Sequence, residues 1–203
     1  MIWESGPWKE EIARIAVSLK KRKGQKRWYE PSYVNFEKEI FFAAYFIRKL
    51  QEAHKISDEI KTHTIKASEF KPTKRPVDIM NRYKIEELYN LSNPSGCSLS
   101  LMEFCNQIIH SFVFIPSFID PPLRLDGFFV TSDRKKEISL FHFKIDNVIE
   151  LLLKISNDCI VYCKMLRDKK TKQIKVVKNS SILDNHTKNF ISSINSRHHK
   201  SGE

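Results

Sequence analysis

Long apolar runs are missing from this 203-residue chain. No stretch reaches the roughly eighteen consecutive apolar residues that a spanning helix requires, so a helical membrane protein is excluded. The start, Met1-Ile-Trp-Glu-Ser-Gly-Pro-Trp8, is not the apolar stretch of a secretory leader. Cysteine is scarce too. Cys97, Cys105, Cys159 and Cys163 are irregularly placed, and Cys159 and Cys163 are separated by three residues rather than two, with no second pair to complete a zinc site. The expectation is a soluble cytoplasmic protein with reduced thiols, no metal and no cofactor. Acidic residues are outnumbered, 24 Asp/Glu against 35 Lys/Arg, giving a net charge of +11. Ten Lys/Arg against three Asp/Glu in residues 164–203 place much of that excess at the C-terminal end.

What is present suits one domain with appendages, or at most two small ones. The hydrophobic fraction is 41%, with 14 Phe, enough for a substantial core. Residues 8–23 read as a helix with a stripe of Trp8, Ile12, Ile15, Ala16 and Leu19. It ends at Gly24, and Lys20, Lys21, Arg22 and Lys23 sit where a helix dipole favours cations. Residues 33–54 read as the longest helix, apolar nearly all round and therefore expected to be central. Arg48 on its second face, near Phe41 and Tyr45, is a candidate for a partly buried cation. Pairing with a structural carboxylate and service in a site are both open to it.

Residues 98–113 carry the clearest local signature. Ser100 followed three residues later by Glu103 is a capping box that should start a helix. At about 100° per residue, Leu101, Cys105, Ile108 and Phe112 fall on one side. Glu103, Asn106, Gln107 and His110 form a polar stripe on the other. A histidine titrating near neutrality can move a proton at a ribose hydroxyl or leaving oxygen, and an asparagine one turn away can orient it or hold a phosphate oxygen. Cys105 and His110 are about 140° apart on a helix, which argues against a thiol–imidazole pair.

Further on, residues 127–145 read as a β-hairpin, with Phe141, Phe143 and Ile145 alternating with His142 and Lys144. Asp146 is expected to cap another helix. Residues 159–178 read as a second, very basic hairpin with a single aromatic, Tyr162, so it offers no stacking platform. Residues 179–203 are expected to be a mobile basic tail. The fold class expected is α-rich, a helical bundle of four or five helices over residues 1–158 with an inserted hairpin and a basic hairpin after it. The bases Lys20, Lys21, Arg22, Lys23, Lys164, Arg167, Lys169, Lys170 and Lys172 are candidate nucleic-acid contacts of the electrostatic kind.

The segment Phe104-Cys-Asn-Gln-Ile-Ile-His110, late in such a bundle, resembles the HEPN superfamily, whose members commonly carry Arg-Asn-x-x-x-His on this kind of helix. The resemblance implies a metal-independent endoribonuclease of a bacterial toxin–antitoxin or phage-defence system, with motif helices meeting across a homodimer. It makes Asn106 and His110 the catalytic pair. Cys105 stands where the family has arginine, and a cysteine cannot hold a phosphate as a guanidinium does. Arg48, Arg82 and Arg124 are the candidate replacements. Without one, the alternative is a catalytically silent module that dimerises or binds a protein partner, such as an antitoxin or defence component, or nucleic acid.

Overall fold

The computed structural model describes residues 2–121 and 123–182. Two long helices, α1 (Gly6–Lys23) and α2 (Glu30–Glu52), are followed by a single turn, α3 (Asp58–Lys61), and strand β1 (Thr64–Phe70). A short α4 (Ile85–Leu88) leads to β2 (Ser95–Ser100), which runs straight into α5 (Leu101–Ile109). Then come β3 (Ser111–Ile119), β4 (Arg124–Ser132), β5 (Leu140–Lys144), α6 (Ile145–Ser156) and the hairpin β6 (Tyr162–Arg167) and β7 (Ile174–Ser180). No helix among the described residues is long and apolar enough to cross a membrane.

The helical bundle is not what forms. The strands assemble a five-stranded sheet in the order β2-β1-β5-β4-β3, every pairing antiparallel, and β6 and β7 make a separate two-stranded sheet. The protein is mixed α/β. The hairpin expected as an insertion supplies β4 and β5, and β5 is the middle strand of the sheet. Three strands account for the difference. β2 begins in Ser95-Gly96, which reads as a turn until it pairs with β1. β3 contains Pro116, which stops a helix but is tolerated here because β3 lies at the sheet edge and pairs on one side only. β1 finds its partners some thirty and seventy residues away, at Leu99 and His142 for example.

The sheet separates two apolar clusters because strand side chains alternate between faces. On one face, Phe128, Val130, Phe141 and Phe143 pack under α1, α2, α5 and α6, with Phe36, Ile47, Leu50, Phe104 and Leu152 fully buried among them. On the other, Phe70, Val113 and Leu140 meet Val77, Ile85, Leu88 and Tyr89 from the β1–β2 connection. β4 and β5 come very close at Gly127, where a Cβ would overlap the Phe143 carbonyl. Glycine is needed there for space.

α2 is not buried all round. Phe36, Ile40, Ala43, Ala44, Ile47 and Leu50 face the core, while Phe42 and Tyr45 remain about half exposed. The basic hairpin docks through its end: the Asn179 amide donates to Asp58 Oδ2 at 2.8 Å, and Ser180 Oγ donates to Glu59 Oε1 at 2.6 Å. Strand β7 thus carries the first residues of the expected tail, and its remainder from 183 lies outside the described residues.

Candidate active site

The capping box forms as its residues require. Ser100 Oγ accepts from the Glu103 amide at 3.3 Å, and Glu103 Oε2 accepts from the Ser100 amide at 3.0 Å. These bonds hold the Glu103 carboxyl below its ordinary range. The helix stops earlier than its stripe suggests. Ile109 is its last residue, and Ser111-Phe-Val-Phe-Ile, rich in aromatic and β-branched side chains, continues as β3. Phe112 therefore belongs to a strand and packs in the second cluster.

This early stop places His110 at the C-cap, where its amide donates to the Asn106 carbonyl at 3.2 Å. Its own carbonyl accepts from the Asp133 amide at 3.0 Å, which ties the helix end to the β4–β5 turn. The exposed imidazole is thus carried on a backbone fixed from both sides.

Arg48 reaches this point from α2. Its Nη1 donates to Asn106 Oδ1 at 3.1 Å and lies 3.4 Å from His110 Nε2. Because guanidinium nitrogens only donate, this geometry assigns Nε2 the acceptor role in the neutral imidazole. The other edge of the guanidinium is anchored, with Nε donating to Glu52 Oε1 at 3.0 Å. Lys49 shares that carboxylate at 2.8 Å. Glu52 consequently aims Arg48 at the pair, and the bonds from Lys49 and Arg48 hold its carboxyl below the ordinary range.

The three side chains line a cleft of about 560 Å³ with Glu103, Gln107, Ser132, Asp133, Arg134 and Lys135. Its volume suits a small ligand or one unit of a polymer. The acids on the wall are engaged: Glu103 with Ser100, and Asp133 with Lys136 at 2.9 Å. Gln107, Arg134 and Lys135 are cleft residues that sequence reasoning did not place. Gln107 was visible in the polar stripe, but the turn holding Arg134 and Lys135 has no local signal for its position.

The remaining candidates lie elsewhere. Arg82 donates to the Phe112 carbonyl and sits over the Phe112 ring, 5.7 Å from its centroid. Arg124 opens β4 while Ser132 closes it, so about 25 Å of strand separates Arg124 from the cleft. Arg22 and Lys23 are neutralised, by Glu39 at 2.7 Å and Asp146 at 2.7 Å, whereas Lys20 and Lys21 are exposed. Lys164, Arg167, Lys169, Lys170 and Lys172 are all exposed on the β6–β7 hairpin. Cys105 is buried completely, and burial pushes its thiol up to about 12, so it offers no thiolate.

Chemically, the arrangement offers one imidazole able to exchange protons, a guanidinium fixed beside it, and a carboxamide joining them. Among the described residues no three His, Cys, Asp or Glu side chains come together as a metal donor set. Compared with family models, curated proteins and solved structures, the chain matches none.

Proposed function

We propose that the cleft cleaves RNA without a metal ion, using His110 as proton acceptor and donor, Arg48 as the charge that holds the phosphate, and Asn106 as the group that positions both. The observation carrying this reading is the contact of one guanidinium nitrogen with Asn106 and His110 together. In the reaction Arg48 exchanges its contact with His110 Nε2 for the phosphate, and the freed Nε2 takes the proton of a ribose 2′-hydroxyl. The O2′–P bond forms as the P–O5′ bond breaks, and the proton passes to the leaving 5′-oxygen, leaving a 2′,3′-cyclic phosphate. Arg48 offsets the negative charge that builds on the phosphoryl oxygens in the transition state. Arg134 and Lys135, on the wall facing α5, supply further positive charge for the backbone of a polynucleotide.

The proposal stands on these side chains. The HEPN-like spacing singles out Asn106 and His110, but the bundle implied by that resemblance is not the fold found. The setting in bacterial toxin or phage-defence systems goes with the family resemblance. A guanidinium from α2, 58 residues from Asn106 in sequence, takes the place left by Cys105.

A second reading, a non-catalytic module that dimerises or binds a partner protein or nucleic acid, is favoured by the half-exposed aromatics of α2. Phe42 stacks on Phe46, which is also edge-on to Trp8, and Tyr45 lies beside them. The deciding experiment compares wild type with His110→Ala on mixed RNA in EDTA, both verified as folded. The nuclease reading expects cleavage by wild type and a loss of about 10²-fold or more in the variant. RNA binding with no cleavage by either protein selects the silent module.

A further inference from the structure

Two carboxamides form part of the cleft, and the fold dictates which way each one faces. Asn106 Oδ1 receives Arg48 Nη1, and Gln107 Oε1 receives the Ser132 amide at 2.9 Å. A guanidinium and a backbone N–H can only donate, so in both residues the oxygen must be the atom turned toward them. The NH₂ groups are then the free ends. Neither has a hydrogen-bond partner among the described residues. Gln107 is only 3% exposed, but its Nε2 is not fully sealed and the residue lines the cleft.

The consequence is a floor of hydrogen-bond donors. Arg48, Asn106 and Gln107 all line the cleft, Arg134 and Lys135 add charge, and one oxygen each of Glu103 and Asp133 is engaged by Ser100 and Lys136. Such a surface complements an anion carrying several acceptor oxygens. Gln107 is also three residues before His110, the C-cap of α5, which puts both on one side of the helix end.

We propose that Gln107 is a substrate-contacting residue, its Nε2 donating to a non-bridging oxygen of the phosphodiester that Arg48 holds. This rests on the reading of the cleft as a phosphodiester site. The Ser132 amide is the positioning group, because it stops the carboxamide from rotating to present its oxygen. Gln107 then shares the transition-state charge with Arg48, which divides the work of the motif arginine between two residues.

Gln107→Glu tests this with little change of shape. The variant keeps an oxygen for the Ser132 amide and replaces the NH₂ donor by an anionic oxygen. RNA cleavage should fall by about 10²-fold, and binding of an all-deoxy oligonucleotide, which lacks the attacking hydroxyl, by at least tenfold. Cleavage within twofold of wild type would overturn the assignment. A measurement on the wild type covers the case of a misfolded variant: titrate the same oligonucleotide and follow the Gln107 side-chain amide and Arg48 Nε–H signals by ¹⁵N NMR. Saturable movement of both supports the proposal. Movement of Arg48 alone removes Gln107 but leaves the cleft a phosphodiester site. Movement of neither overturns the proposal and the reading beneath it.

Discussion

Two histidines of this protein sit among hydrogen-bonding neighbours, and the one with the more familiar company has the less useful geometry. His142 on β5 lies 2.7 Å from Ser117 Oγ and 3.5 Å from Asp126 Oδ2, a serine, histidine and aspartate in contact. Both contacts converge on Nε2, whereas a relay needs the acid on one ring nitrogen and the hydroxyl on the other. The ring is buried against Phe129, with centroids 4.7 Å apart. His110 has Arg48 at 3.4 Å from Nε2 and Asn106 one turn before it, and its ring is exposed at the edge of a cleft lined by Arg48, Arg134 and Lys135. The lesson is that residue types do not make a site. Whether a substrate can reach the nitrogen that accepts its proton decides it.

Breaking the His110 side should have the largest effect. Arg48→Ala should lower RNA cleavage by about 10²- to 10³-fold in steady-state assays, with the thermal transition little changed, because the side chain is about one-third exposed. Ser117→Ala should leave cleavage within twofold. A large loss in the serine variant with none in Arg48→Ala would invert the comparison between the two histidines.

A smaller effect is expected where β4 and β5 meet beside His142. Gly127→Ala forces a methyl against the Phe143 carbonyl and the His142 ring. It should cost about 2–3 kcal/mol in denaturant unfolding. An unchanged midpoint would mean that the strands can separate there at little cost.

The smallest effect concerns pH. Burial holds the His142 imidazole below its ordinary value of 6.5, opposed by Asp126 and assisted by Lys144. The unfolded chain therefore binds a proton at a pH where the native chain does not. Stability from this group is complete above about 6.5 and is lost as pH falls toward the lower folded value. His142→Gln should flatten the fall of Tm with acid by a few degrees. A slope that persists in the variant would assign the acid sensitivity to other groups.

Helical segments were largely legible. The stripe of α1 and the stop at Gly24 lie within one continuous segment, as do Asn106 and His110 one turn apart. The sheet was not. β2 and β3 look like a turn and a proline-broken stretch, and they become strands only because β1 and β4 align beside them. The source of the site's positive charge was legible only as a choice among Arg48, Arg82 and Arg124. Nearness in sequence does not choose among them: β4 carries Arg124 to the far end of the sheet, and Arg82 lies against Phe112.

By itself, the sequence determined what closes within a turn or two of chain: the capping box, the helical faces, and the polar stripe of α5. These depend on hydrogen bonds and side-chain periodicities spanning three or four residues. Tertiary structure alone decided which cation meets that stripe and which atom Gln107 offers to a ligand. The first follows from packing the buried faces of α2 and α5 on the sheet. The second follows from one backbone amide at the end of β4 that accepts no other orientation of the carboxamide.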